Sequence, residues 1–196
     1  AIAMMSHRDL GVRYVLAPFV LAVAAATAWT VAAIRRRDLR VAAAVIVIGA
    51  QTAACLSIAP EHLAYFNELA GGPRRGYQRL VDSSLDWGQD LIRLQRWQAA
   101  HGSGRTGLAY YGSAPIDAYG VTVLDWRAMA GSPSPADVFV ISATYLQGVF
   151  LCGDPFAPFR GIVPSDRVGY TLFAYSLDRE DVRRAIAAAA RDWCAP

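Results

Sequence analysis

Residues 14–60 decide the fold, and they read YVLAPFVLAVAAATAWTVAAI, RRRDLR and VAAAVIVIGAQTAACLSIAP in succession. The first and third segments, residues 14–34 and 41–60, hold no charged side chain. As an α-helix, each would be about 30 Å long, which matches the hydrocarbon core of a bilayer. We therefore predict a membrane α-helical hairpin of two transmembrane helices. The alternative is a pair of buried helices in a soluble protein, although uncharged runs of this length are typical of membrane spans.

The loop between the two stretches sets the orientation, because four of its six residues are arginine. Short basic loops stay on the cytoplasmic side of a membrane. Both outer ends of the hairpin would then face away from the cytoplasm. The predicted organisation is an outer-face segment at residues 1–13, two transmembrane helices at residues 14–60 with a cytoplasmic loop at 35–40, and an extracytoplasmic α/β domain at residues 61–196.

The composition supports a membrane protein and excludes several other classes. Hydrophobic residues make up 55% of the chain, only 18% is charged, and the net charge is +3. The arginine-rich loop accounts for most of that charge, so no nucleic-acid surface is indicated. The first residues lack the basic start and the cleavage site of a signal peptide, and we expect the chain to be part of a longer polypeptide.

Helical and strand patterns alternate after residue 60, which predicts a small layered α/β domain. Trp87, Leu91, Leu94 and Gln98 follow helical spacing and would bury one face of a helix that begins near Asp86. The predicted strands are residues 107–111, 119–124, 137–143 and 170–175, and the predicted helices are residues 61–70, 86–100, 144–151 and a final one from residue 178.

Two of the three cysteines, Cys152 and Cys194, belong to this outer domain, whereas Cys55 lies in the second apolar stretch. An oxidising compartment would permit a bridge between Cys152 and Cys194. Two free buried thiols are the alternative, since spacing alone does not show that the residues are close.

The densest polar cluster spans residues 82–90, where Asp82, Asp86 and Asp90 recur every four residues. A calcium loop of the EF-hand type is excluded, because its glycine and glutamate positions hold Trp87 and Arg93. Carboxylates at the start of a helix also complement the helix dipole, which gives Asp86 and Asp90 a structural role. We predict no metal site here.

Two basic residues, His7 and Arg13, lie at the predicted outer boundary of the membrane. They could contact lipid headgroups, or they could hold a phosphate of a lipid-linked substrate, since a guanidinium matches phosphate geometry. His62 and Glu68 follow the second stretch and would face the same interface. The chain contains no glycine-rich phosphate loop and no known nucleophile or zinc motif, so a self-contained active site is not visible.

Four segments resemble the C-terminal part of bacterial membrane glycosyltransferases of the protein-mannosyltransferase-like and aminoarabinose-transferase-like family. They are residues 6–14 (SHRDLGVRY), 62–73 (HLAYFNELAGGP), 80–91 (LVDSSLDWGQDL) and 141–148 (ISATYLQG). The likeness runs over about residues 6–177. Family members often carry asparagine where this chain has Ser84, which weakens any role for that side chain.

The resemblance implies a multi-span enzyme that moves a sugar from a polyprenyl-phosphate donor to an acceptor on the outer face of the bacterial plasma membrane. It implies phosphate contacts from His7 and Arg13, and acceptor-side roles for His62, Glu68, Asp82 and Asp86. The catalytic carboxylate would lie upstream, so we expect no catalytic residue in this chain and no transfer activity from it alone. The lipid-linked sugar is the donor substrate, and no cofactor is implied.

The expected partners are membrane lipid, the lipid-linked donor and the upstream transmembrane part of the same polypeptide. A different function remains open at this point, namely a non-enzymatic two-span membrane protein whose outer domain binds a glycan or another partner. The reading frame upstream of residue 1 separates the two, because further apolar spans would support the enzyme and an adjacent start codon would exclude it.

Overall fold

The computed structural model describes residues 16–102, 105–131 and 136–192. The chain divides into two compact units, Ala1–Tyr65 and Phe66–Pro196. We call the first the helical unit and the second the sheet unit.

The helical unit contains helix α1, Leu16–Ala33, helix α2, Arg37–Ile58, and a 3-10 turn at His62–Ala64. Helix α2 has 22 residues, which gives a length of about 33 Å. Most of its large apolar side chains are exposed, and Val45 and Ile46 expose 64% and 69% of their surface. Among the described helices, α2 alone is long and apolar enough to cross a membrane.

The prediction of a two-helix transmembrane hairpin followed by a small α/β domain is therefore wrong. Within the described residues, α2 is the one helix long and apolar enough to cross a membrane, whereas the apolar helix of the first run is described over Phe19–Ala33 only. The described residues hold five α-helices and a five-stranded mixed sheet instead.

The sheet unit is built on that sheet, whose strand order is β2-β1-β3-β5-β4. Strands β2, β1 and β3 are mutually parallel, whereas β5 is antiparallel to both β3 and β4. At the centre of the sheet, Leu108 of β1 pairs with Val140 of β3, and Val140 pairs with Ala174 of β5. The strands are β1 Thr106–Ala109, β2 Leu124–Asp125, β3 Val138–Ser142, β4 Asp166–Val168 and β5 Leu172–Ser176.

Three helices belong to this unit: α3 Leu91–Ala100, α4 Ala143–Leu146 and α5 Glu180–Asp192. Neighbouring side chains of the central strand β3 point to opposite faces of the sheet, so the core has two parts. On one face Val140 packs with a cluster that includes Leu91 and Leu94 of α3. On the other face Phe139 packs against Phe156 and Phe159.

Several predicted elements differ from the structure. The helix predicted at residues 61–70 is two 3-10 turns, His62–Ala64 and Glu68–Ala70. The strand predicted at residues 119–124 is reduced to the two residues of β2. Cys152 is disulfide-bonded and Cys55 is a free, exposed cysteine, while Cys194 lies outside the described residues.

Candidate functional site

The carboxyl ends of strands β1 and β3 meet at one edge of the sheet, because the two strands are parallel neighbours. The chain leaves β1 toward β2 on one side, while the strands that follow β3 lie on the other side. In α/β sheets, ligands commonly bind at the carboxyl ends of the strands where the strand order switches direction in this way. We call the residues gathered there the edge site. They are Asp82, Asp86, Trp87, Tyr111, Thr144, Tyr145 and Phe150.

Thr144, which follows β3, joins the two predicted acidic residues of this site. Its hydroxyl accepts a hydrogen bond from the backbone N–H of Asp82 at 3.0 Å and donates to Oδ2 of Asp86 at 3.1 Å. Its backbone N–H donates to the same carboxylate oxygen at 3.3 Å. The structure therefore brings Asp82 and Asp86 together through a residue about 60 positions away in sequence.

Asp86 is fully buried, and its other oxygen accepts a hydrogen bond from the Gly88 N–H at 3.1 Å. Burial raises the pKa of Asp86 to about 6, because removal from water disfavours the charged carboxylate. The hydrogen bonds from Gly88 and Thr144 oppose that shift, and the nearby Asp90 adds to it. The pKa of Asp86 is thus well above that of an exposed aspartate.

Asp82 and Tyr111 form the second polar contact of the site, in which the Tyr111 hydroxyl donates to Oδ1 of Asp82. Burial and the neighbouring carboxylates raise the pKa of Tyr111, so the phenol keeps its proton. Asp82 has a φ of +53°, a left-handed conformation that is uncommon for a residue with a side chain.

Aromatic rings extend the site from this polar contact toward solvent. The Tyr111 ring stacks on Phe150 at 5.6 Å between centroids, with 6° between the ring planes. Tyr145 meets Tyr111 edge-on at 5.8 Å. Phe150 leaves 67% of its surface exposed and has a φ of +62°. A large apolar residue held exposed in a costly backbone conformation is typical of a binding surface.

Trp87 adds another exposed ring, and 58% of its surface is accessible. Its indole N–H donates to the Ser83 carbonyl at 3.0 Å, which fixes the ring outward. Gly88 follows with a φ of +76°, and a Cβ there would lie 1.9 Å from the Tyr110 hydroxyl. The prediction that Trp87 is buried on the helix face is wrong, because α3 begins at Leu91 and Trp87 precedes it.

Asp90 has a different task from the other two aspartates. Its carboxylate accepts hydrogen bonds from the Thr171 hydroxyl at 2.8 Å, from the Thr171 N–H at 3.0 Å and from the Tyr170 N–H at 3.1 Å. It also pairs with Arg93 at 2.6 Å. Asp90 therefore ties the start of α3 to the two residues that precede β5. The predicted placement of Asp86 at the start of the helix and of Asp90 in its first turn is wrong, because α3 begins at Leu91 and the Asp90 side chain makes no capping bond.

The remaining predicted site residues lie elsewhere. His62 is exposed in the 3-10 turn of the helical unit, and Glu68 is exposed in the first 3-10 turn of the sheet unit. His7 and Arg13 lie outside the described residues.

Sequence reasoning missed the roles of Tyr111, Thr144, Tyr145 and Phe150. The available signal was position, since Tyr111 and Thr144 each lie two residues past the end of a parallel strand, β1 or β3. Nothing in the sequence reported the hydrogen bonds that connect these residues to the loop at residues 82–90.

The arrangement suits a ligand that offers hydroxyl groups and flat C–H faces. Carboxylates accept hydrogen bonds from hydroxyls, and exposed aromatic rings pack against C–H groups. Within the described ranges, no group of three or more histidine, cysteine, aspartate or glutamate side chains is arranged to hold a metal ion. Comparison of the chain with protein-family models, with curated proteins and with solved structures gave no match.

Proposed function

We propose that this chain is the C-terminal portion of an integral-membrane glycosyltransferase, which moves a sugar from a polyprenyl-phosphate donor to an acceptor on the outer face of the membrane. In this proposal the edge site binds the sugar. The observation that carries it is the combination of Asp82, held in place through Thr144 and the buried Asp86, with exposed aromatic rings at the carboxyl ends of β1 and β3. Sugars present hydroxyls and C–H faces to such a surface.

The resemblance found in the sequence adds a second line of support. Two of the segments that carry it, residues 80–91 and 141–148, are far apart in the chain. They meet in the edge site, where Thr144 bonds to both Asp82 and Asp86. A shared pattern in two distant segments is better explained by one common site than by separate packing needs.

The edge site acts in binding and positioning, and the catalytic carboxylate belongs to the upstream part of the enzyme. Trp87 and the stacked pair of Tyr111 and Phe150 offer faces for the sugar ring. Asp82 offers a carboxylate to its hydroxyls, and Asp86 holds the loop through Thr144 and Gly88.

The proposed orientation puts the sheet unit outside the bacterial plasma membrane. Helix α2 begins at Arg37 next to a basic stretch, and basic flanks stay in the cytoplasm. The sheet unit follows the other end of α2. The disulfide at Cys152 suits an oxidising extracytoplasmic compartment.

The experiment is saturation-transfer NMR on the whole chain in lipid nanodiscs, with polyprenyl-phosphate mannose as the probe. We expect transfer to the sugar protons, and its loss in Trp87→Ala and Phe150→Ala. Val163→Ala is the matched control, since Val163 is also an exposed apolar residue (74%) and lies outside the edge site. Signal on the lipid chain only, or equal sugar signals in all three variants, would contradict the proposal.

The alternative is a non-enzymatic membrane protein whose outer domain binds a glycan. Both functions predict sugar binding at the edge site, so turnover separates them. The polypeptide that includes the upstream spans should transfer mannose from the same donor, and Phe150→Ala should reduce that transfer. Binding without any transfer by the longer polypeptide would favour the alternative.

A further inference from the structure

An exposed apolar residue and three exposed arginines lie together in the first turns of the sheet unit. Leu69 exposes 97% of its surface, the highest value among the large exposed apolar side chains of the described residues. Arg74, Arg75 and Arg79 follow it and are also exposed. We call these four residues the Leu69 patch.

The turn that presents Leu69 is well defined. The Asn67 side chain accepts a hydrogen bond from the Ala70 N–H at 2.9 Å, and the Gly72 N–H donates to the Asn67 carbonyl at 3.0 Å. Gly71 closes the turn with a φ of +96°, and a Cβ there would lie 3.1 Å from Cβ of Arg75. Arg75 is thus packed beside the turn that carries Leu69, and Arg74 is its neighbour in the chain.

The patch has an unbalanced positive charge. Residues 68–79 contain three arginines and one acidic residue, Glu68, which is exposed in the same turn as Leu69. Within the part of the chain that the structure describes, none of the three guanidinium groups forms an ion pair. A partner with negative charge and an apolar layer would complement this surface.

The position of the patch along the chain points to one such partner. Leu69 comes eleven residues after Ile58, the last residue of α2. An extended chain of that length reaches at most about 40 Å, and the hydrogen-bonded 3-10 turns in this segment shorten it. Two more exposed side chains lie along this connection, Leu63 and Tyr65, and tyrosine is enriched at membrane interfaces.

We propose that the Leu69 patch docks on the anionic headgroup layer of the membrane that α2 crosses. Leu69 inserts at the boundary between headgroups and acyl chains, and the arginines pair with lipid phosphates, which their guanidinium geometry matches. This inference rests on the proposed membrane anchoring by α2. It adds a second contact that holds the start of the sheet unit at the membrane surface.

The test uses the whole chain with Cys55→Ala, so that an introduced cysteine is the site of labelling; Cys152 is already disulfide-bonded. An environment-sensitive NBD dye is attached to Leu69→Cys, and the protein is reconstituted in phosphatidylcholine vesicles with or without phosphatidylglycerol. Val163→Cys, similarly exposed, is the control. We expect a blue shift and quenching by lipid-borne quenchers at position 69 only, both stronger with phosphatidylglycerol.

Replacement of Arg74, Arg75 and Arg79 by glutamine should abolish the dependence on phosphatidylglycerol. A water-like emission at position 69, equal to that at position 163, in protein that resists carbonate extraction would contradict membrane docking of the Leu69 patch. It would leave the proposed membrane anchoring by α2 intact. Extraction of the protein by carbonate would overturn both. An unchanged phosphatidylglycerol dependence in the arginine variant would overturn the role of the guanidinium groups.

Discussion

Two nearly identical apolar runs have opposite surroundings in this protein. Residues 45–48 read VIVI and lie in helix α2, where the four side chains expose between 64% and 69% of their surface. Residues 138–141 read VFVI and lie in strand β3, where Phe139, Val140 and Ile141 are at most 1% exposed. The difference is not in the side chains, because β-branched residues favour strands in both runs.

Context decides between the two outcomes. The first run belongs to a long apolar segment, in which a helix satisfies every backbone group without help from neighbours. The second run is bounded by Asp137 and Ser142 and pairs with strands on both sides. Strand β3 therefore finds its apolar environment within the protein, whereas α2 needs it from outside, which agrees with the proposal that α2 crosses a membrane.

The largest expected effect comes from truncating one side chain in each run. Phe139→Ala should lower the free energy of unfolding of the sheet unit by about 3–5 kcal/mol, because it removes contacts with Phe156 and Phe159 and leaves a cavity. The matched change Ile46→Ala should leave that free energy unchanged. Guanidinium unfolding in detergent, followed by near-UV circular dichroism, measures both. Equal losses would show that the two runs are not in different environments.

A smaller effect is the pH dependence that Asp86 gives to the sheet unit. The folded protein holds the Asp86 proton up to about pH 6, whereas the unfolded chain releases it near the ordinary value of 3.8. The folded state therefore binds more protons between these values, and stability falls as the pH rises through this window. The loss reaches about 3 kcal/mol and is complete above pH 6.

Urea unfolding between pH 4 and pH 7 measures this slope. Burial raises the pKa of Asp90 as well, so part of the slope should remain in Asp86→Asn, but the slope should be clearly reduced. Asp117→Asn, at an exposed position, is the control and should keep the full slope. An unreduced slope in Asp86→Asn would contradict the burial of a titrating Asp86.

The smallest expected effect concerns the Tyr111 hydroxyl. Tyr111→Phe removes the hydrogen bond to Asp82 but keeps the ring contacts with Phe150 and Tyr145. The free energy of unfolding should fall by about 0.5–1.5 kcal/mol, the typical net value of one hydrogen bond. Thermal unfolding of the two proteins is the measurement. A loss as large as that of Phe139→Ala would mean that the hydroxyl supports the core and not the edge site alone.

The sequence predicted those elements whose pattern is local. Helix α2, strands β1, β3 and β5, and the buried positions Leu91 and Leu94 of α3 are confirmed within a few residues. Strand β4 was not predicted, because two of its three residues are charged and its pairing with β5 gives no periodic signal. The two-helix transmembrane hairpin was wrong, since α2 alone among the described helices is long and apolar enough to cross a membrane.

The edge site was predicted only in part, and the reason is distance along the chain. Asp82 and Asp86 stood out by their own spacing. The bonds from Thr144 to Asp86 cross 58 residues, and the stacking of Phe150 on Tyr111 depends on the order of the strands. A single sequence carries no record of such contacts.

The most direct test of this account is the side of the membrane on which the sheet unit lies. In the Cys55→Ala chain, Asp38→Cys at the start of α2 and Val163→Cys in the sheet unit are exposed to a membrane-impermeant maleimide in intact cells. We expect position 163 to be labelled in intact cells, and position 38 to be labelled only after the cells are made permeable. Labelling of position 38 in intact cells, with position 163 protected, would contradict it.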